Sequence, residues 1–160
     1  MTMLMRSVEN ARQPSNAFGT TLQQYGALPW RVGRHGEVEV MLITTRQTGR
    51  WILPRGWPVK GKTPAQTATQ EAFEEAGVVG GVDPSPIGKY HYVKTLPDGS
   101  SNDCVVTLFS LQVRGTLVQW PEQSERKRRW HGLTEASQAA SEEQLAALLA
   151  TLEWNQMTTA

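Results

Sequence analysis

Residues 56–78, GWPVKGKTPAQTATQEAFEEAGV, decide how the rest of the chain is read. A loop rich in Gly, Pro and Lys leads into a short helix with marked ends. Thr63 is placed to cap the helix, and Pro64 fits its first position, where a missing N–H costs nothing. Gln66 completes a capping-box pattern with Thr63, and Gly77 can close the helix in a left-handed conformation. Between these signals lie two faces. Ala65, Ala68, Ala72 and Ala76 follow helical spacing and form a narrow apolar side suited to close packing on a sheet. Glu71, Glu74 and Glu75 stand at i, i+3 and i+4, within an arc of roughly 100°. Three carboxylates so close repel one another, and a hard divalent cation such as Mg²⁺ would relieve that repulsion. A solvated acidic face is the plainer reading. The loop in front argues against it, because Arg55, Lys60 and Lys62 set cations beside the carboxylates, as suits a site for a metal and a polyphosphate together.

The stretch resembles the Nudix box, G-x5-E-x7-R-E-U-x-E-E-x-G-U with U aliphatic. Gly56, Glu71, Glu74, Glu75, Gly77 and Val78 match, and Ala72 takes the first aliphatic position. Two positions depart: Lys62 stands for the early Glu, and Gln70 for the Arg before the first catalytic Glu. Those two family residues support the loop and orient the carboxylates, so both partners of that support are replaced here. RWILPRGW ahead of the box, and ERKRRWHGLTEA from Glu125 to Ala136, are similar to the branch holding diphosphoinositol-polyphosphate and diadenosine-polyphosphate hydrolases. The likeness runs in order over roughly residues 25–152.

The resemblance implies an α/β (α+β) Nudix fold, a mixed sheet between helices, and hydrolysis of a phosphoanhydride bond with Mg²⁺ or Mn²⁺. By resemblance Glu71, Glu74 and Glu75 are catalytic and hold the metal, with the Gly56 carbonyl beside them. Arg55, Lys60 and Lys62 are candidate phosphate contacts. Arg31, Arg46, Arg50 and Arg128 fall on elements that face the cleft in related proteins, and about half of these four are expected to touch substrate. Glu122 and Glu125 are candidates for a base outside the box, with a solvated loop charge the plainer reading of each. The expected partner is a small phosphorylated molecule such as a diphosphoinositol or dinucleoside polyphosphate. ADP-ribose is the alternative, and a non-catalytic ligand-binding module stays open because of Lys62 and Gln70.

The whole chain is consistent with this. Its 160 residues suit one domain with a real core, and a net charge of +1 argues against binding a nucleic-acid polymer. One cysteine, Cys104, excludes an internal disulfide and reads as a small core residue. No apolar run reaches membrane-spanning length, and the first residues lack the order of a signal peptide, so the expected compartment is the cytoplasm. Residues 1–22 read as a loose arm, 23–154 as the domain and 155–160 as a tail. Strands are expected at 25–32, 38–45, 51–53, 87–95 and 104–113, with a loop at 79–86 and Gly115 as a breaker. Residues 117–120 either pair with a neighbouring strand or lead out of the sheet, and 122–129 read as a charged loop. Ser141 and Gln144 suggest a second capping box before an amphipathic helix carrying Leu145, Leu148, Leu149 and Leu152. His35, His91 and His131 lack metal-ligand spacing, Trp30 and Trp51 read as core, and Trp57 either packs or stacks on a base.

Overall fold

The computed structural model describes residues 21–153. The terminal arm and tail therefore lie outside the described residues, apart from Thr21 and Leu22, and Leu22 already begins the first strand. The strands are β1 (Leu22–Val32), β2 (Val38–Thr44), β3 (Trp51–Ile52), β4 (Arg55–Gly56), β5 (Val78–Val82), β6 (Gly88–Thr95), β7 (Ser101–Thr116) and β8 (Arg128–Gly132). The helices are α1 (Pro64–Glu71), extended by a π-helical turn at Ala72–Ala76, then α2 (Leu133–Ala139) and α3 (Glu143–Thr151).

The eight strands form one mixed sheet, with β1 and β7 parallel along Leu22–Trp30 and every other pairing antiparallel. Side chains alternate across a strand, and the two faces fill accordingly. Leu28, Val40, Leu42, Val106 and Leu108 pack with Leu145 and Leu149 under α2 and α3. Ala27, Met41, Ile43, Phe109 and Leu111 pack with Ala65, Ala68, Ala72 and Ala76 of α1. The sheet thus lies between helices, and the alanine stripe brings α1 close to it. Cys104 is buried and free, and among the described residues no helix is long and apolar enough to cross a membrane.

Four readings of the sequence are corrected. Residues 79–86 are not wholly loop, because β5 runs over Val78–Val82. It passes so close to β7 that a Cβ on Gly80 would lie 1.8 Å from the Gln112 carbonyl oxygen, so the glycine that reads as loop is what admits the strand. Gly115 does not break β7, since it pairs with Val79. The charged run ends in β8, an edge strand paired to β2, where exposed charge is tolerated and protective. Ser141 and Gln144 form no capping box: Ser141 Oγ donates to the Trp51 carbonyl (3.1 Å), and Gln144 Oε1 accepts from His91 N–H (2.9 Å).

Candidate active site

Residues 56–77 fold as their local signals require. Thr63 Oγ1 accepts from Gln66 N–H (3.2 Å) and Gln66 Oε1 accepts from Thr63 N–H (2.9 Å), closing the capping box. Gly77 ends the helix with φ +64°, a conformation that suits glycine. Before it the helix loosens into a π turn that carries Glu74 and Glu75, a distortion common at functional sites.

All three glutamates are buried, at 0% exposure for Glu71, 5% for Glu74 and 6% for Glu75, so the solvated acidic face does not form. Glu71 lies against Gly56: a Cβ there would stand 2.4 Å from the carboxyl carbon. Glu75 Oε1 accepts from the Arg55 backbone N–H (3.3 Å), and its Oε2 faces Arg126 Nη2 at 3.7 Å. Glu74 is held by the Gln70 amide (2.8 Å). Gln70, which replaces the family arginine, thus still touches a box glutamate, while the guanidinium nearest Glu75 comes from the distant loop.

Above Glu71, Glu75 and Gly56 opens a cavity of about 560 Å³. Glu74 does not line it. Its walls carry five cations, Arg46, Arg50, Arg55, Lys94 and Arg126, against three carboxylates, Glu71, Glu75 and Glu142. Arg46 Nη2 meets Glu122 at 2.9 Å and its Nε meets Glu125 at 3.3 Å. Arg126 Nε also meets Glu122, at 2.8 Å, and its Nη1 donates to the Thr44 carbonyl (3.1 Å). Glu122 is fully buried between these two arginines, not the solvated charge its loop suggests, because its backbone N–H is anchored on the Glu74 carbonyl (3.0 Å). Glu125 is exposed.

Arg55 lines the cavity, but protein groups engage its guanidinium. It makes a bidentate pair with Glu142 (2.5 and 2.8 Å), donates to Tyr90 Oη (3.3 Å) and covers the Tyr92 ring at 3.5 Å. Burial works against its charge, yet Tyr90, Tyr92 and Glu142 together hold it well above the usual arginine range. Burial likewise pushes both phenols up, against the pull of Arg55. The pair ties the start of α3 to the box. Arg55→Met leaves the half-buried Glu142 without its guanidinium and is expected to cost up to about 3 kcal/mol, measured by urea denaturation.

Four predicted contacts lie outside the cavity. Arg31 bonds Glu39 (2.8 Å) and stacks on Trp130 (4.1 Å). Arg128 caps the box helix, donating to the Ala76, Gly77 and Leu117 carbonyls and covering Trp120. Lys60 and Lys62 are exposed on a turn at Gly61. Trp57 packs with Leu22 and Cys104. Conversely, Lys94, Arg126, Tyr92 and Glu142 line the cavity without having been singled out from the sequence. Only the basic character of the 122–129 run hinted at Arg126.

The NUDIX domain model matches residues 25–152. The chain belongs to the Nudix family. Among curated proteins it is 34% identical over 122 residues to Nudix hydrolase 21, chloroplastic, of Arabidopsis thaliana, covering 71% of this chain and 57% of that one. It is 28% identical to the same plant's Nudix hydrolase 13, mitochondrial, covering 69% of this chain and 63% of the relative. It therefore spans about three-fifths of the length of these relatives. Among solved structures, the Caenorhabditis elegans Ap4A hydrolase complex superposes with TM-score 0.61 at 19% identity, over 81% of this chain and 93% of that one. The NUDIX domain of Shewanella oneidensis NrtR with ADP ribose also gives 0.61, at 17% identity over 90% and 95%. At such identities these two speak for the Nudix fold alone, and the mixed sheet between helices agrees with them.

Proposed function

We propose that this Nudix chain is a metal-dependent hydrolase of a phosphoanhydride bond in a small, phosphate-rich substrate. The observation that carries the reading is that Glu71 lies against Gly56 and Glu75 against the adjoining Arg55 N–H, both lining a cavity walled by cations.

The donors fit Mg²⁺ or Mn²⁺: carboxylate and carbonyl oxygens, with the Glu71 carboxylate seated against Gly56 where any side chain would displace it. Glu71, Glu75 and the Gly56 carbonyl would hold the ion, with Glu74 one step behind. Among the described residues no three His, Cys, Asp or Glu side chains already converge at metal-ligand spacing. Water and substrate phosphates would complete the shell, as Mg²⁺ favours. When bound, the ion neutralises bridging oxygens and acidifies a water. The chain's own residues do the rest. Arg126 and Arg46, each braced by Glu122, offer guanidinium donors to phosphate oxygens with little rotamer freedom left to lose. Arg55 stiffens the wall through Glu142, and its backbone N–H fixes Glu75.

Two features favour phosphate over base recognition. The lining cations outnumber the carboxylates before any metal adds its charge. Both aromatic rings of the lining also have a cation over a face already, Tyr92 under Arg55 and Trp57 under Lys94. A substrate panel at fixed Mg²⁺ tests this. Diphosphoinositol or dinucleoside polyphosphates are expected to release phosphate faster than ADP-ribose, and the opposite order would overturn the preference.

A further inference from the structure

Among the described residues, two cations of the cavity, Lys94 and Arg50, have no carboxylate partner, and Lys94 is the more buried of the two. Arg46, Arg55 and Arg126 each pair with carboxylates of the protein. Among the described residues the Lys94 ammonium makes neither an ion pair nor a hydrogen bond, and the Trp57 ring lies 5.9 Å from Nζ. It is only partly exposed. Burial lowers its pKa, with the nearby Arg55 charge adding to the effect. A desolvated ammonium among like charges costs stability, so the fold gains nothing from it that a neutral side chain on Trp57 would not supply.

Its position is informative. Lys94 follows Tyr92 by two residues on β6, so both side chains share one face, about 7 Å apart along the strand. Tyr92 carries Arg55 on its ring, and Arg55 adjoins Gly56. Lys94 thus lies one step farther out along the wall that begins at the Glu71–Gly56–Glu75 floor. Arg50, whose guanidinium bonds the Thr48 hydroxyl (3.1 Å), lines the same cavity from the β2–β3 turn.

We propose that Lys94 forms an outer phosphate subsite, which takes a phosphate beyond the diphosphate held at the floor and so selects condensed phosphates of three or more units. This rests on the reading of the cavity as a phosphate site, but not on its being hydrolytic. An ammonium donates to any phosphate oxygen without demanding one orientation, which suits the mobile end of a chain. The Trp57 ring, 5.9 Å from Nζ, faces the ammonium.

The test is calorimetric titration of the full chain with inorganic pyrophosphate and inorganic tripolyphosphate, without divalent ion, for wild type, Lys94→Met and Lys94→Arg. Met keeps an unbranched apolar stem and removes the charge. Lys94→Met is expected to weaken tripolyphosphate about tenfold, the scale of one charge-assisted hydrogen bond, while pyrophosphate affinity and melting temperature hold. Lys94→Arg is expected to restore tripolyphosphate binding. Competition by a dinucleoside polyphosphate and by a diphosphoinositol polyphosphate identifies the source, since the ligand whose outer phosphate reaches Lys94 loses potency in Lys94→Met. Equal loss for both inorganic ligands, or no loss for either, would overturn the subsite. Absence of turnover would instead count against hydrolysis and leave these affinities unaffected.

Discussion

Replacing Glu75 by glutamine is expected to lower turnover by on the order of 10³-fold with the fold intact. Glu75 is held at both oxygens: Arg55 N–H binds one and Arg126 faces the other. Glutamine keeps the shape and can still accept from Arg55 N–H. What disappears is the negative charge toward the cavity floor. The loss should therefore fall on kcat, with the circular dichroism spectrum and melting temperature close to wild type. A variant as active as wild type would exclude Glu75 from the chemistry. If the wild type turns over no diphosphate compound, the non-catalytic binding module becomes the better account.

Gly56→Ala is expected to be nearly as damaging, by a different route. Gly56 has no positive φ, so alanine is compatible with its backbone. The obstacle is Glu71, whose carboxyl atoms would lie 2.4–2.7 Å from the new methyl. Glu71 is fully buried and cannot swing into solvent, so the carboxylate shifts within a packed site. A displacement near 1 Å at a reacting centre costs about 10²-fold in rate. Overpacking adds about 1–3 kcal/mol of destabilisation. Steady-state kinetics with a parallel thermal melt separates the two, and unchanged kinetics would show that Glu71 does not need its place beside Gly56.

The box was legible because its signals are local. Thr63, Gln66 and Gly77 act within one helix, and glutamate spacing needs only helical geometry. The same local logic misled at Ser141 and Gln144, whose side chains are claimed by the Trp51 carbonyl and the His91 amide, partners remote in sequence. β5 was hidden because Gly80 and Gly81 read as loop, whereas β7 lies so close that only glycine fits at Gly80. The cavity walls were the least legible part. Lys94, Arg126 and Glu142 come from a strand, a loop and a helix entry, and no spacing in the chain links them. Arg31 and Arg128 went the other way, toward Glu39 and the helix-end carbonyls, because an arginine's partners depend on tertiary placement.

The most direct measurement is phosphate release from a diphosphoinositol or dinucleoside polyphosphate by the wild-type chain, titrated with Mg²⁺ after exhaustive chelation. Buried carboxylates that grip a cation beside a cationic cavity predict no release without the ion and saturable release as it is restored. Release that persists under chelation would contradict the assignment of Glu71 and Glu75.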